Sequence, residues 1–280
     1  MSPRPAHRDV RGRGSGGRDS GDSRRRDRSS GSQRPRYEQV EGRQAVRELL
    51  RARTRAVHEV WIARGLPPAP ILDELRSLAK SMGTVVREVP AGELEANAKS
   101  DAPQGVLARA APLPITSEDD LFSNASAFVV ALDGVTDPRN LGAVLRSAEG
   151  AGVTGLLLPR HRSAQITPVV TKAAAGAVEH VPIVTVAGLP GALERAKRAG
   201  LWIVGLDESG DQSLFDFSLA DQPLVLVFGA EGRGLSQLTR KRCDAVISVP
   251  MLGALDSLNV SAAATLACYE VTRRRQALGS

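Results

Sequence analysis

One segment in the second half of the chain combines an amide and a guanidinium shortly after an apolar run. It spans residues 133–146 (DGVTDPRNLGAVLR), where an Asp-Pro turn is followed by Asn140 and, six residues later, by Arg146. We expect Asn140 to open a helix that carries Arg146, with both side chains directed towards the end of the preceding strand. Both would then lie at the sheet edge where ligands bind in open α/β sheets. Asn140 alone would indicate a helix cap, and Arg146 alone would indicate a surface ion-pair partner.

A second segment, residues 224–235 (LVLVFGAEGRGL), runs from an apolar strand into a glycine-rich turn. Gly229, Gly232 and Gly234 would let the backbone approach a ligand closely or adopt positive φ. The spacing is GxxGxG with Glu231 inside the turn, which differs from the dinucleotide-binding GxGxxG. The glycines alone would also suit an ordinary strand-to-helix turn, so the carboxylate makes this segment a candidate site.

The third segment, residues 247–261 (ISVPMLGALDSLNVS), places a loop between a strand and the last helix. Gly253 lies in the loop, and Ser257 is predicted as the N-cap of the helix. Asn259 and Ser261 would then lie in its first turn, where their polar side chains are harder to explain by structure alone. This segment therefore adds an amide and two hydroxyls to the candidate site.

The pattern of apolar residues around these segments predicts alternating apolar strands and amphipathic helices, which would position them. Their alternation predicts an α/β fold with a parallel sheet and helices on both faces, for which we assign residues 126–280. In such sheets ligands bind at the carboxyl ends of the strands, where all three segments lie. We predict strands at 127–132, 154–158, 181–185, 201–206, 223–228 and 245–249, and helices at 140–151, 167–177, 189–199, 234–242 and 258–275.

A smaller α/β unit is predicted before this sheet, at residues 37–110. Residues 111–125 (APLPITSEDDLFSNA) carry two prolines and a polar run, and we assign them as a linker. Within the small unit we predict helices at 41–53, 71–82 and 91–98 and strands at 58–63, 84–89 and 105–110.

The N-terminal residues 1–36 hold eleven Arg against four Asp and almost no apolar side chains. We predict a disordered basic tail, because such a segment buries too little surface to offset chain entropy. It would suit electrostatic contact with phosphates or serve only as a solubilising tail. The rest of the chain carries 26 Lys and Arg against 27 Asp and Glu, so any basic surface on it must be local.

The two cysteines, Cys243 and Cys268, suggest no disulfide framework and fit a reducing cytoplasm. The four histidines form no pair with them at ligand spacing, so we predict no metal site. We find no apolar run of about 18 residues and therefore expect no membrane span.

Together, the three segments resemble the motifs of the SpoU/TrmH family of RNA ribose 2′-O-methyltransferases: N-x-G-x-x-x-R, G-x-E-G-x-G and P-M-x-G-x-x-x-S-L-N-V-S. The small unit is also similar to the ribosomal-protein-like substrate-binding domain of the ribosomal-RNA members, from E-G-x-x-A-V at 41–46 to Q-G-V at 104–106. Two departures are Pro103, where relatives carry His, and Ala174, where Ser is common.

This resemblance implies a C-terminal trefoil knot that binds S-adenosylmethionine, and a homodimer with its active site at the subunit interface. The implied substrate is RNA, with a guanosine of 23S ribosomal RNA expected as the target. Arg146 would contact the 2′-hydroxyl. The residues implied to hold Arg146, the nucleotide and the motif loops are Asn140, Glu231, Ser257 and Asn259. Those implied for the cofactor are Gly229, Val249, Met251, Gly253 and Leu258.

Four alternatives remain. A transfer-RNA target or an antibiotic-resistance adenosine target would keep the same chemistry. A non-catalytic RNA-binding or ribosome-assembly protein on the same fold would have no use for Asn140, Arg146, Glu231 and Asn259 together. A nucleotide-dependent oxidoreductase is disfavoured, because an early GxGxxG with an acid about 20 residues later is missing.

Overall fold

Two sheets, one of four strands and one of seven, organise the computed structural model, which describes residues 37–278. The described residues belong to one compact unit. The predicted disorder of residues 1–36 lies outside the described residues. No helix within residues 37–278 is long and apolar enough to cross a membrane.

The four-stranded sheet has the order β1-β4-β2-β3 and mixes parallel and antiparallel pairs. Its core contains Leu49, Leu50, Ile62 and Leu75, all of them buried. The strands are β1 (Glu38–Glu41), β2 (Val57–Ala63), β3 (Val85–Val89) and β4 (Val106–Ala110), and the helices are α1 (Arg43–Ala52), α2 (Pro70–Ser81) and α3 (Ala91–Asn97).

The first predicted helix of this part starts two residues too early. Glu41 lies in β1, a strand that the sequence reading missed, and its side chain is buried. Its carboxylate accepts hydrogen bonds from the backbone N–H groups of Lys99 and Ser100 at 2.7 and 2.9 Å. Gly42, with φ 93°, then turns the chain into α1, so the strand and the helix are separated by one glycine.

The predicted linker is partly helical. Residues Glu118–Phe122 form α4, which begins with a capping box between Ser117 and Asp120. Leu121 and Phe122 are buried and pack against the larger sheet. The polar run therefore serves as a helix start, and the apolar residues behind it anchor the segment.

All pairs in the seven-stranded sheet are parallel, in the order β7-β6-β5-β10-β8-β11-β9. Separate apolar clusters cover its two faces, which confirms the predicted parallel sheet between helices. Its strands are β5 (Phe128–Asp133), β6 (Gly155–Pro159), β7 (Ile183–Val186), β8 (Trp202–Leu206), β9 (Gln212–Ser213), β10 (Leu224–Gly229) and β11 (Ala245–Ser248). The remaining helices are α5 (Pro138–Gly150), α6 (Pro168–Ala173), α7 (Leu189–Arg198), α8 (Gln237–Arg240) and α9 (Val260–Leu278).

Four predicted helices of this part differ from the observed ones by two residues or more at one end, and the one predicted at 140–151 begins at Pro138. The helix at 167–177 stops at Ala173, because Gly176 has φ 92° and is followed by a separate 3₁₀ turn, Ala177–Glu179. The helix at 234–242 shrinks to α8, since Gly234 has φ 60° and Ser236 provides the cap. The last helix begins at Val260. The short strand β9 was not predicted.

Candidate active site

A hydrogen-bonded cluster joins one residue from each of the three motifs. The Asn140 amide donates to Glu231 Oε1 at 3.0 Å, and Asn259 Nδ2 donates to the same oxygen at 2.5 Å. Asn259 Nδ2 also donates a hydrogen bond to Asn140 Oδ1 at 3.1 Å. Glu231 and Asn259 are exposed and Asn140 is half-buried, so the cluster forms a polar surface available to a ligand.

Local structure explains how each member is held. Asn140 lies in the first turn of α5, which begins at Pro138, and Asp137 caps that helix by accepting from the N–H of Arg139 at 2.8 Å. The prediction that Asn140 opens the helix was therefore wrong by two residues. Proline at the first helical position explains the earlier start.

The cap of α9 also differs from the prediction. The carbonyl of Asn259 accepts the first helical hydrogen bond, from Ala263, and its side chain accepts from the N–H of Ser261 at 2.8 Å. Asn259 is thus the N-cap, and Ser257 lies in the preceding loop. One oxygen of Asn259 holds the helix start while its amide nitrogen joins the cluster, so a structural role and a place at the site coexist in one side chain.

A cavity of about 340 Å³ opens beside this cluster at the carboxyl ends of β8, β10 and β11. Its volume falls in the range of small-molecule sites, roughly 300–1,000 Å³. Among the residues predicted for the site, the lining includes Gly229, Glu231, Val249, Met251, Ser257, Leu258 and Asn259. Gly253, Asn140 and Arg146 are not among the described lining residues.

Two glycines of the second motif are required by close packing. A Cβ on Gly229 would lie 2.1 Å from the carbonyl carbon of Gly234, and Ala230 and Gly234 exchange backbone hydrogen bonds at 3.2 and 2.9 Å. Gly234 has φ 60°, and a Cβ there would lie 2.5 Å from the Asp207 carboxylate. The glycine loop, residues 229–234, is therefore a tight turn that only small residues allow.

Asp207 follows β8 and lines the cavity, although it was not among the predicted site residues. Its Oδ2 accepts from the N–H of Leu235 and its Oδ1 from the N–H of Ser209, both at 3.1 Å, while Arg240 lies 3.1 Å away. Burial favours the neutral acid, but the hydrogen bonds from Ser209 and Leu235 and the charge of Arg240 outweigh it and lower the pKa of Asp207. Its position directly after an apolar strand was the signal that could have identified it.

Four carboxylates line the cavity, those of Asp207, Glu208, Glu231 and Asp256. No Lys or Arg side chain belongs to the described lining. The cavity therefore favours a ligand that carries positive charge on part of its surface.

Arg146 does not join the other predicted catalytic residues within this chain. Six residues along a helix move it about 9 Å from Asn140 and about 240° around the axis. It is exposed, and within residues 37–278 its guanidinium has no hydrogen bond or ion pair. It lines a separate cavity of about 210 Å³ with Gln44 and Arg47 of α1, Glu149 and the segment around Ala175. The expectation that Asn140 and Arg146 point to the same strand end was wrong.

A larger cavity of about 1,050 Å³ adjoins the first. Both are lined by Ala230, Glu231, Gly234 and Val260, and Asn140 lines only the larger one. The Asn140–Glu231–Asn259 cluster therefore stands between two cavities, an arrangement suited to a donor on one side and an acceptor on the other.

The cysteines are not equipped for nucleophilic or metal chemistry. Burial raises the pKa of Cys243 to about 11 and that of Cys268 to about 12, so both are neutral thiols near pH 7. Among the residues described, no group of three His, Cys, Asp or Glu side chains could hold a metal ion.

Two family models match the chain. The SpoU rRNA Methylase family matches residues 127–269, and a model described as RNA 2′-O ribose methyltransferase substrate binding matches residues 39–116. The two matches cover the larger and the smaller sheet respectively.

Similar proteins agree with these matches. A 23S rRNA (guanosine-2′-O-)-methyltransferase RlmB of Pseudomonas putida is 38% identical over 244 residues, covering 85% of this chain and 97% of that protein. The corresponding protein of Pseudomonas aeruginosa is 39% identical over 247 residues, 86% of this chain and 98% of its own. The crystal structure of the SpoU methyltransferase AviRb from Streptomyces viridochromogenes, in complex with AdoMet, has a TM-score of 0.73 at 28% identity and covers 86% of this chain and 91% of that one.

Proposed function

This chain belongs to the SpoU rRNA methylase family, and we propose on that basis that it transfers a methyl group from S-adenosylmethionine to a ribose 2′-hydroxyl of ribosomal RNA. A guanosine of 23S rRNA is the proposed target, because the RlmB proteins are similar to this chain over most of its length. The observation that carries the proposal is the pair of adjoining cavities with Asn140, Glu231 and Asn259 between them.

The smaller cavity fits S-adenosylmethionine in size and charge. The cofactor is an amphipathic molecule whose cationic sulfonium and ammonium outweigh its single carboxylate, and four carboxylates with no described Lys or Arg line the cavity. Met251, Leu258 and Val249 offer apolar surface to its adenosine part, and backbone groups of Gly229, Val249 and Leu258 are proposed to bind it, with Gly253 close by. When bound, the cofactor supplies a methyl group already activated by the positive sulfur.

The chain must position the hydroxyl and assist loss of its proton. Asn140 and Asn259 hold the Glu231 carboxylate, and we assign this cluster, with Ser257 at the cavity wall, to orienting the target ribose at the boundary between the cavities. Arg146 is assigned to bind the 2′-oxygen and to stabilise charge as the proton leaves. A guanidinium is an awkward base because it is already protonated near neutral pH, so the hydroxyl proton is proposed to leave to water while Arg146 stabilises the developing charge.

Arg146 is proposed to act in the site of a second subunit. In the protomer it lies on a different part of α5 from Asn140, is exposed, and lines another cavity. A homodimer with the active site at the subunit interface would bring Arg146 of one protomer to the cofactor cavity of its partner. Because each complete site would need residues from both subunits, the dimer would be the smallest active form.

The finer architecture is proposed to follow the family. Strand β10 is inserted between β5 and β8, and β11 lies beyond β8. Such an order is compatible with the trefoil knot that we infer for residues 126–280. The small unit at 37–110, joined by the linker at 111–125, is proposed as the RNA substrate-binding domain. The cytoplasm, where ribosomal RNA is available, is the proposed compartment.

The test is methyl transfer from tritiated S-adenosylmethionine, in the presence of a metal chelator, to 23S rRNA and to transfer RNA from cells that lack the protein. We expect label in the 23S rRNA at the 2′-oxygen of a guanosine, and saturable heat of cofactor binding by calorimetry. Label in transfer RNA would favour the alternative target, since one relative, a putative TrmH family tRNA/rRNA methyltransferase of Staphylococcus haemolyticus, is 37% identical over 245 residues, 86% of this chain and 97% of its own length. Loss of transfer in chelator, or cofactor binding without transfer to any RNA, would contradict the proposal.

A further inference from the structure

Most of the larger cavity is lined by four chain segments at the carboxyl edge of the sheet, which are the turn from β5 to α5, the loop from β6 to α6, the start of α7 and the glycine loop. Residues 235–237, which lead into α8, and Val260 of α9 complete the lining. Asp133, Asn140, Arg162, Leu189 and Arg233 represent the four segments in the lining. Because the two cavities share Glu231, a ligand bound in the larger cavity would lie beside the cofactor cavity.

The carboxylates of this cavity are already engaged by N–H donors. Asp133 accepts from the N–H of Ser236 at 2.8 Å, and Asp137 accepts from the N–H of Arg139 at 2.8 Å. Glu231 accepts from the amides of the cluster described above. Their negative charge is therefore partly balanced before any ligand enters.

The guanidinium groups of the cavity, in contrast to its carboxylates, have no hydrogen-bonding partners among the described residues. Arg162 and Arg233 are both exposed and line the cavity, and neither has an ion pair or a side-chain hydrogen bond within residues 37–278. On nearby helices the arginines are paired: Arg195 of α7 binds Glu118 through two hydrogen bonds, and Arg240 of α8 pairs with Asp207. The cavity thus presents two unneutralised cations to a ligand.

The backbone at Arg162 points the same way. Its φ is 58°, a left-handed conformation that glycine or asparagine adopts more readily than arginine. The folded loop would be less strained with glycine at this position. An arginine here is therefore better explained by what its side chain binds than by the conformation of the loop.

We propose that the larger cavity holds the sugar-phosphate backbone of the RNA beside the target ribose, and that Arg162 and Arg233 bind its phosphates. A guanidinium fork matches two phosphate oxygens, and phosphate contacts fix the register of a nucleic acid without reading its sequence. Arg233 belongs to the glycine loop that also lines the cofactor cavity, so one loop contacts both substrates. The inference rests on the proposed function, because it assumes that the acceptor is RNA.

The test compares Arg162→Gln and Arg233→Gln with the matched control Arg198→Gln in the full chain. Arg198 is exposed at the end of α7 and, within residues 37–278, also lacks an ion pair. Binding of a 23S rRNA transcript is measured over a series of salt concentrations, and methyl transfer is measured alongside. We expect each cavity variant to weaken RNA binding and raise KM for RNA roughly tenfold, and to reduce the salt slope by about one phosphate contact, while Arg198→Gln matches the wild type.

A second variant separates binding from folding. Arg162→Gly removes the guanidinium, and the strain it relieves at positive φ offsets the extra entropy of the unfolded chain, so we expect its melting temperature to stay close to that of the wild type while KM for RNA still rises. Unchanged RNA affinity and salt slope in both cavity variants would overturn the inference, and so would an effect of Arg233→Gln confined to cofactor affinity. If the wild-type protein binds the transcript through these arginines but transfers no methyl group, the proposed function is contradicted and the binding inference is not.

Discussion

The carboxylate of Asp207 accepts a hydrogen bond from the backbone N–H of Leu235 at 3.1 Å and so joins the end of β8 to the end of the glycine loop. The same carboxylate binds Ser209 and pairs with Arg240 of α8. Since Asp207 and the glycine loop both line the cofactor cavity, this contact fixes one wall of the cavity relative to another.

Asp207→Asn should therefore weaken cofactor binding about tenfold, because the amide keeps the shape but gives up the charged hydrogen bonds, each worth roughly 1.5–3 kcal/mol. Calorimetric titration with S-adenosylmethionine measures the effect. Asp216→Asn is the control, since Asp216 is exposed and lies outside the described cavity lining. Equal affinities for the two variants would show that the Asp207 contacts do not shape the cavity.

The lowered pKa of Asp207 also predicts a pH dependence. A carboxyl whose pKa is depressed in the folded state stabilises the fold above its unfolded pKa of about 3.9 and loses that contribution as the pH falls through the folded value. The difference in unfolding free energy between wild type and Asp207→Asn should be full at pH 7 and shrink as the pH falls below about 4. Denaturant titrations at pH 7 and below about pH 4 measure this difference in unfolding free energy. A difference that is independent of pH would contradict the lowered pKa of Asp207.

The sequence predicted the larger sheet well because its strands are continuous apolar runs separated by helices, as in residues 224–229. It did not predict β1, since Glu41 is buried there only through contacts with residues almost sixty positions later. The cap at Asn259 was misplaced for a similar reason, because its amide is held by Glu231. Patterns of apolar residues define local elements, whereas contacts between distant polar side chains become visible only in the folded chain.

A buried ion pair links the smaller sheet to the larger one and predicts a large stability effect. Arg55 donates to Glu179 through Nε at 3.0 Å and Nη2 at 2.6 Å, and to Glu38 at 2.7 Å. The side chains of Arg55 and Glu179 are 3% and 0% exposed. Arg55→Ala should lower the free energy of unfolding by about 3–5 kcal/mol, because it leaves an uncompensated buried charge.

Chemical denaturation measures this change, and the exposed pair of Arg51 and Glu74 provides the control. Arg51→Ala should cost less than about 1 kcal/mol, since water screens its partner. Replacing Arg55 and Glu179 together by apolar residues should recover much of the loss. If Arg55→Ala proves as mild as Arg51→Ala, the pair does not hold the two sheets together.

The Arg-rich N-terminal segment should contribute RNA affinity and leave the chemistry unchanged. Residues 1–36 carry a net charge of +7, from eleven Arg and four Asp, and phosphate binding by these residues would release counterions. Deleting them should weaken binding to 23S rRNA and flatten its dependence on salt, with turnover at saturating RNA unchanged. Single-turnover assays at high RNA concentration provide that comparison, and a large drop in saturated turnover would show that the segment does more than attract RNA.

Arg146→Ala should abolish methyl transfer while the fold and cofactor binding stay intact. Arg146 is exposed and lies outside the described lining of the cofactor cavity, so its removal leaves that cavity unchanged. The expected loss in rate is about 10²–10³-fold, and more if the guanidinium also handles the proton. Arg146→Lys keeps the charge but loses the planar fork, and should also be poor. Single-turnover transfer, calorimetry and thermal melting distinguish these effects, and near-normal turnover of Arg146→Ala would refute the assigned role.

A mixed dimer tests which subunit uses Arg146. One protomer carries Arg146→Ala and the other Glu231→Gln, each with its own affinity tag, and the heterodimer is purified through both tags. If Arg146 completes the site of the partner, one site of the heterodimer combines the unchanged Glu231 of the first protomer with the unchanged Arg146 of the second. That site is intact, and the other site carries both substitutions. If Arg146 acts within its own protomer, each site contains one defect and the heterodimer is inactive. We expect the heterodimer to regain about half of the wild-type rate, because one of two equivalent sites is complete. A heterodimer as inactive as the two parent homodimers would place Arg146 in the site of its own subunit.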